Sequence, residues 1–333
     1  VVIPGCTDAN ACNYNPGASL DNGSCNMPDC AGNCNGTLSG TIDTGDACDD
    51  GNDCTLNDMY DANCNCIGTL IDNDNDGICD NQTTVNLVVS ALLSGAYEDS
   101  NGLMRDDLRT LNLIPNTDPY FGTYNLDTTL LTSLTGSNAI VDWVVVELRD
   151  AFSPATIVES KAALIQRDGD IIDATLGTTA LAFNSNSDDY YVTIRHRNHL
   201  GGMTATPIDF TLGMQTIDFR QLQTPMWGNY AMQEKNNKYL LWPANTDVNQ
   251  QVIFQGGNND PNAIFFGVLT DPNNVNTFVN YIGTNYCYED VNMDGRIIYQ
   301  GGSNDANLIF FTVLIHPANT LNIPNFVIEE QLP

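Results

Sequence analysis

The amino-acid sequence predicts a mainly β protein in three parts. These are a Cys-rich arm (residues 1–84), an antiparallel β-sandwich (85–235) and a duplicated C-terminal domain (236–333). Three observations predict this division: ten of the eleven cysteines lie between residues 6 and 79, β-rich runs dominate the middle, and one motif occurs twice near the end. A length of 333 residues is enough for two or three domains.

The cysteines of the arm predict a disulfide framework, and therefore export to an oxidising compartment. Zinc is the alternative, but the spacings form no paired C-x2-C knuckles and the three histidines lie far away in the sequence. The connectivity stays open, although sequence neighbours such as Cys6–Cys12 and Cys48–Cys54 could close short loops. Cys287 is left over, and we expect a buried thiol there.

The arm ends in a calcium-loop pattern, DNDNDGICD, over Asp72–Asp80. Oxygen side chains stand at positions one, three, five and nine, with the turn glycine at six and a backbone carbonyl at seven. The expected ligands are Asp72, Asp74, Asp76, the carbonyl of Ile78, and Asp80. Thr83 stands near the place where an acid would close the shell. Four further acids could form another site: Asp49, Asp50, Asp53 and Asp58.

The middle of the chain alternates β-rich runs with turn signals, which is typical of an antiparallel sandwich. The predicted strands are Val85–Leu93, Ala139–Leu148, Ile157–Gln166 and Tyr190–Leu200. One or two helical turns are expected within Met104–Leu111, and Gln221–Lys238 is expected to be a linker. His196 and His199 are three apart on one predicted strand, so we expect them to point to opposite faces and not to share a metal.

The C-terminal domain carries the most specific motif, DVNMDGRIIYQGGSND, over Asp290–Asp305. Alternating oxygen side chains followed by glycine are typical of calcium loops of the EF-hand type. The predicted ligands are Asp290, Asn292, Asp294, the carbonyl of Arg296, and Asp305, which also opens an apolar run.

An earlier copy, DVNQQVIFQGGNND, spans Asp247–Asp260 and is two residues shorter. It lacks the equivalents of Asp294 and Gly295, so we expect it to be a scaffold without calcium. A duplicated unit of about 43 residues predicts two units that pack against each other.

The charge excludes several functional classes. The formal net charge is −30, with 41 acidic against 11 basic residues, which disfavours nucleic acid and anionic membranes and attracts divalent cations. No run approaches the ~20 apolar residues needed to cross a bilayer, so no membrane insertion is expected. No cationic, apolar leader stands at Val1, so either a leader has been removed or the chain is part of a longer protein.

Several segments resemble modules of large secreted surface proteins of the Bacteroidota. GCTDANACNYNPGASLDNGSC (Gly5–Cys25) is similar to their short Cys-rich repeat, and CDDGNDCTLNDMYDANCNCIGT (Cys48–Thr69) to a second module. AIVDWVVVELRD, YYVTIRHRNHLGGMTA and DVNMDGRIIYQGGSND resemble a module often found near their C-terminal ends. The resemblance implies export by type IX secretion, display on the cell surface or release from it, and a dockerin-like calcium fold for the two C-terminal units.

Sequence patterns for catalysis are missing: there is no G-x-S-x-G elbow, P-loop or HExxH. Asp142 and Glu147 lie five apart on one predicted strand, hence on opposite faces, which argues against a glycosidase pair. We therefore expect no enzyme, but a structural subunit that assembles with itself into a filament, sheath or layer, stabilised by disulfides and Ca²⁺. One alternative is an adhesin that binds surface glycans through exposed aromatics such as Trp143, Trp227 or Tyr230. Another is an accessory segment of a secreted hydrolase.

Overall fold

The computed structural model describes residues 2–30, 32, 44–52, 54–70, 84–185 and 188–333. The chain divides into two compact units, an N-terminal unit (Val1–Thr83) and a C-terminal unit (Thr84–Pro333). Strands hold 32% of the residues and helices 12%, which confirms the mainly β class. Among the described residues, no helix combines the length and apolar character needed to cross a membrane. The boundary expected near residue 235 stays a prediction.

The N-terminal unit depends on disulfides because it has little core. Its strands are β1 (Pro4–Gly5), β2 (Leu20–Asp21), β3 (Thr55–Tyr60) and β4 (Cys66–Leu70). Strand β1 pairs with β2 in parallel, and β3 pairs with β4 in an antiparallel hairpin. Among its described residues, the buried apolar side chains are Cys6 and Ala11. So small a core cannot offset the entropy of ordering the chain, and covalent links do so instead.

Disulfides join Cys6 to Cys25, Cys30 to Cys64 and Cys48 to Cys66, and Cys12 and Cys54 are also disulfide-bonded. The disulfide framework is thus confirmed. The suggested short loops Cys6–Cys12 and Cys48–Cys54 are wrong, because backbone pairing brings more distant cysteines together. The Asn22 N–H donates to Gly5 O at 3.3 Å, and this contact between the two short strands places Cys25 near Cys6. The Cys48 N–H donates to Asp58 O at 2.9 Å, so Cys48 lies beside the β3–β4 hairpin that carries Cys66.

The C-terminal unit contains two larger sheets, several two-stranded ladders and four α-helices among its described residues. Its strands are β5 (Val85–Ser90), β6 (Ile140–Asp150), β7 (Ile157–Gln166), β8 (Ile171–Ile172), β9 (Ala180–Phe183), β10 (Asp189–His196), β11 (His199–Met203), β12 (Ile208–Asp209), β13 (Gln215–Asp218), β14 (Met232–Lys235), β15 (Lys238–Leu241), β16 (Gln251–Ile253), β17 (Ile282–Gly283), β18 (Ile297–Ile298) and β19 (Val327–Glu329). Its helices are α1 (Asp107–Thr110), α2 (Leu130–Ser133), α3 (Asp260–Thr270) and α4 (Asp305–Ile315).

The large sheet has the order β11-β10-β6-β7-β8, with β12 also paired to β10, and it is antiparallel throughout. The small sheet, β13-β5-β9, is mixed, because β13 runs parallel to β5. Both sheets contribute to one apolar core, with Val144, Val146 and Leu148 from β6 and Leu87 and Val89 from β5.

Trp143 is fully buried, and its Nε1 donates to the Pro115 carbonyl at 2.9 Å. The expectation that Trp143 is an exposed aromatic is therefore wrong. A bulge in the β6–β7 pairing lies between Ile140 and Asp142, directly before Trp143. Simple alternation along β6 therefore does not predict which side chains face solvent.

Two further expectations need correction. The predicted strand Tyr190–Leu200 is in fact the two strands β10 and β11, joined at Arg197-Asn198, with His196 paired opposite His199. The predicted linker Gln221–Lys238 contains β14, which forms a hairpin with β15. Side chains alternate between the two faces of a sheet in one long strand and in two strands joined by a two-residue turn. Alternation alone therefore does not distinguish these two structures.

Each of the two C-terminal repeats pairs its strands with strands of the other repeat. Strand β16, before α3 of the first repeat, pairs with β19, which follows α4 of the second. Strand β17, after α3, pairs with β18, which precedes α4. The aromatic contacts follow the same rule: Phe254 packs on Phe310 at 4.9 Å, and Tyr299 packs on Phe265 at 5.0 Å between ring centroids. The repeats therefore complete each other around a second hydrophobic cluster.

Candidate metal centres

The second repeat brings its predicted ligands into one loop before α4. The Asp290 carboxylate accepts from the Asp294 N–H at 3.1 Å and from the Gly295 N–H at 2.8 Å. The Asn292 side-chain oxygen accepts from the Asp294 N–H at 2.9 Å, and Asp294 accepts from the Arg296 N–H at 2.9 Å. Gly295 has φ 78°, the left-handed conformation that favours glycine in such a turn.

The Asp305 carboxylate accepts hydrogen bonds from both ends of this loop. One carboxylate oxygen accepts from the Val291 N–H at 2.9 Å, and the other from the Ile298 N–H at 2.9 Å. Asn304 caps α4, with its side chain accepting from the Asn307 N–H. Asp305 is therefore the first residue of the helix rather than its cap, and its carboxylate fixes the loop through backbone contacts.

In the first repeat, the aspartate at the start of the helix also accepts from backbone N–H groups, but the loop before it lacks the equivalents of Asp294 and Gly295. Asp260 occupies the position of Asp305 and accepts from the Thr246 and Ile253 N–H groups, each at 2.7 Å. In contrast, Asp247 is exposed, whereas Asp290 is completely buried. The first repeat thus has no buried carboxylate at the position of Asp290. Whether the first loop binds calcium stays a prediction.

The electrostatics of the second loop favour a cation. Burial raises the pKa of Asp290 to about 7 and raises the pKa of Asp305 well above its usual value. A buried carboxylate without a compensating positive charge is costly, and a bound cation removes that cost. The oxygen-only donors of the loop suit a hard cation such as Ca²⁺. Among the described residues, however, the acids of this loop do not form a group of three whose oxygens all lie within 4.8 Å.

Such a group does occur in the N-terminal unit. Asp49, Asp50 and Asp58 each offer a carboxylate oxygen, and these oxygens lie within 4.8 Å of one another. This cluster could bind a metal ion. Asp58 Oδ1 is shielded from solvent and has no hydrogen-bond partner among the described residues. Asn57, at φ 56°, lies within a register shift of the β3–β4 pairing next to Asp58.

Two other sequence predictions cannot be placed. Asp53, the fourth acid expected in this cluster, lies outside the described residues. The whole predicted loop of Asp72–Asp80, including Asp74, Asp76 and Ile78, also lies outside them.

The sequence did not predict a buried polar network next to the second loop. His196 Nδ1 lies 2.9 Å from His199 Nδ1, and His196 Nε2 lies 3.1 Å from Asp142 Oδ2. The Gly95 N–H donates to His199 Nε2 at 3.1 Å, so the proton of His199 sits on Nδ1, which lies 2.8 Å from Asn198 Oδ1 as well as next to His196. The expectation that the two histidines point to opposite faces is wrong, because the chain turns between them.

Burial and ion pairing determine which side chains of this network are charged. Burial lowers the pKa of both imidazoles, and that of His199 falls furthest, so both rings are neutral at pH 7. Arg197 Nε donates to Asp142 at 3.0 Å, and its guanidinium lies 4.6 Å from the Tyr286 ring centroid. Asp142 thus stays ionised against Arg197 although it is completely buried.

The same hairpin holds the backbone that leads into the second loop. Asn198 Nδ2 donates to the carbonyls of Tyr288 at 3.2 Å and Asp290 at 2.7 Å. Arg197 donates to the carbonyl of Cys287. Cys287 is a free thiol, half-buried, and burial raises its pKa, which disfavours the reactive thiolate. The network is therefore a polar link between the large sheet and the candidate metal loop.

Comparison of the chain with protein-family models, with curated proteins and with solved structures finds no match.

Proposed function

We propose that this chain is a non-enzymatic extracellular structural protein that assembles with itself into a surface filament, sheath or layer. Three other expectations belong to the same proposal: export by the type IX route, a β-sandwich built from the two sheets, and dockerin-like calcium folds for the repeats. The disulfides of the N-terminal unit support an oxidising, extracellular location.

The observation that carries self-assembly is the apolar surface of the repeat pair. Helices α3 and α4 are too apolar for surface helices: Phe266 on α3 is 59% exposed, and Phe311, its equivalent on α4, is 55% exposed. Ile315 is also 55% exposed. Each helix thus offers an exposed phenylalanine to a partner chain, and on α4 Ile315 lies one turn from Phe311.

Calcium fits the same proposal through charge. A net charge of −30 makes copies of the chain repel each other. Divalent cations held by the acidic loops lower that repulsion and stiffen the surface beside α4. We therefore expect assembly to require calcium.

Assembly is tested by negative-stain microscopy and sedimentation of the full chain, with millimolar calcium or with chelator. We expect ordered polymers in calcium, and loss of polymers in the double variant Phe266→Ser/Phe311→Ser. Phe152→Ser is the matched control, because Phe152 is 96% exposed in the turn between β6 and β7, outside the repeats. A chain that stays monomeric in calcium, or a double variant that assembles like the wild type, would refute self-assembly through this surface.

The calcium site is tested separately by titration calorimetry. We expect Asp290→Asn to remove a calcium-binding event, because the inward carboxylate is lost. Asp247→Asn, the equivalent change in the first repeat, should leave binding unchanged, because Asp247 faces solvent. Equal effects of the two substitutions would contradict a site confined to the second loop.

The alternative is an adhesin or glycan-binding module. Of the aromatics expected to serve it, Trp143 is buried, Trp227 packs edge-on against Tyr191 at 5.4 Å, and Tyr230 is 55% exposed. The observation that favours glycan binding is a different one, a cavity on the large sheet beside Phe121.

A further inference from the structure

A cavity of about 290 Å³ lies on the face of the large sheet that points away from the main core. Its floor includes Glu147 from β6 and Arg195 from β10. Its walls include Phe121, Val248 and Tyr288. Ligand pockets usually measure roughly 300–1,000 Å³, so this one has room for a single small ring.

The walls are aromatic or apolar and face solvent. Phe121 is 46% exposed, Tyr288 is 38% exposed and Val248 is 52% exposed. Val248 also has φ 60°, which is unusual for a β-branched side chain and occurs where the surrounding structure imposes it. Exposed rings next to a polar floor suit a ligand with an apolar face and a polar edge.

The Phe121 wall is rigid. Asp118 is 3% exposed, and its carboxylate accepts from five successive backbone N–H groups, those of residues 120 to 124. One oxygen takes the first three donors and the other takes the last two. A wall fixed in this way costs little entropy to use, which is the condition for a preformed site.

The charges of the floor are paired within the protein. The Glu147 carboxylate accepts from Arg149 Nε at 2.9 Å, and Arg195 lies 3.5 Å from the Glu330 carboxylate. Arg197, which also lines the cavity, is paired with Asp142. Each formal charge thus has an opposite partner, so the cavity favours neither a cation nor an anion. The remaining lone pairs and N–H groups suit neutral hydroxyls.

We propose that this cavity binds one neutral pyranose residue of a glycan, with its C–H faces against Phe121 and Tyr288 and its hydroxyls at Glu147 and Arg195. This inference is independent of self-assembly and names a location for the glycan-binding alternative. The cavity and the apolar surface of α3 and α4 involve different residues, so one chain can have both properties.

The test is ligand-observed saturation-transfer NMR on the full chain. The probes are the methyl α- and β-pyranosides of glucose, galactose, mannose and N-acetylglucosamine, with methyl glucuronoside as the charged comparison. We expect at least one neutral pyranoside to bind, and its ring C–H protons to receive the strongest transfer. Phe121→Ala and Tyr288→Ala should each weaken binding roughly tenfold.

Two variants serve as controls. Phe121→Tyr keeps the ring and should retain binding, and Phe152→Ala removes an exposed ring elsewhere and should not affect it. The proposal is overturned if no neutral pyranoside binds, if the charged sugar alone binds, or if Phe121→Ala and Tyr288→Ala bind as well as the wild type. Both alanine variants should still form polymers in calcium, so failure of this proposal is distinct from failure of self-assembly.

Discussion

Replacing Asp118 by Asn tests how far one carboxylate fixes the loop over the large sheet. The first oxygen accepts from the N–H groups of Tyr120, Phe121 and Gly122, and the second from Thr123 at 2.8 Å and Tyr124 at 2.7 Å. An amide has one oxygen, so its NH₂ group must face two or more of these donors. The substitution thus replaces attraction by repulsion without changing the size of the side chain.

The expected cost follows from two lost charge-assisted hydrogen bonds. Each hydrogen bond to a charged group contributes about 1.5–3 kcal/mol, and exposed donors recover part of this from water. We therefore expect Asp118→Asn to lower the free energy of unfolding of the C-terminal unit by about 2–4 kcal/mol. Asp127→Asn is the control, because among the described residues Asp127 accepts from one residue, Thr129, whose N–H donates to it at 2.9 Å.

Denaturant unfolding, followed by tryptophan fluorescence, measures both variants, since Trp143 lies in the core of the same unit. Limited proteolysis should also show new cuts at residues 119–124 in Asp118→Asn. A loss no larger than that of Asp127→Asn would refute the idea that the five backbone donors make this loop rigid.

The pH dependence gives a second check. Burial alone would raise the pKa of Asp118, but the backbone donors outweigh burial and hold the pKa below its usual value. A lowered pKa means that the stabilisation is present above the unfolded-state pKa of about 3.9 and is lost as the pH falls through the folded-state pKa. The difference in stability between the wild type and Asp118→Asn should therefore be constant near neutral pH and shrink below about pH 4.

Three further predictions concern stability. Asp142→Asn should cost about 3–5 kcal/mol in denaturant unfolding, because it leaves the Arg197 guanidinium buried without its carboxylate; a smaller cost would mean that the network is already solvated. Gly295→Ala should destabilise more than Gly122→Ala in thermal melts: both have positive φ, but the new methyl group meets Leu111 only in the first case, so equal melting temperatures would contradict the packing argument. Reduction should expose the N-terminal unit to protease while residues 84–333 stay resistant, as mass spectrometry of the fragments will show; unchanged cleavage would mean that the disulfides do not hold that unit.

The local features of this fold could be predicted from the sequence. The strand Ile157–Gln166 was predicted with its observed bounds, because alternation and a following Asp-Gly turn are encoded within a few residues. The order of the predicted ligands in Asp290–Asp305 is local for the same reason. The duplication is visible in the amino-acid sequence, because the two copies share identical residues.

The non-local features could not be predicted. The hairpin at Arg197-Asn198 lacks the Asn-Gly or Asp-Gly pair that usually marks such a turn, so the sequence pattern predicts one continuous strand there. The contact of His196 with Asp142 joins residues 54 positions apart, and the cavity walls come from segments around residues 121, 248 and 288. Such contacts depend on the packing of the whole unit, and periodicity carries no information about them.

The exchange of strands between the repeats makes neither repeat complete alone. Each offers one strand before its helix and one after it, and both find their partner in the other copy. Two separate chains of one repeat each could therefore satisfy the same pairings. Cutting the present chain between β17 and Asp290 should accordingly release no fragment, since the β16–β19 and β17–β18 pairings would still join the two parts.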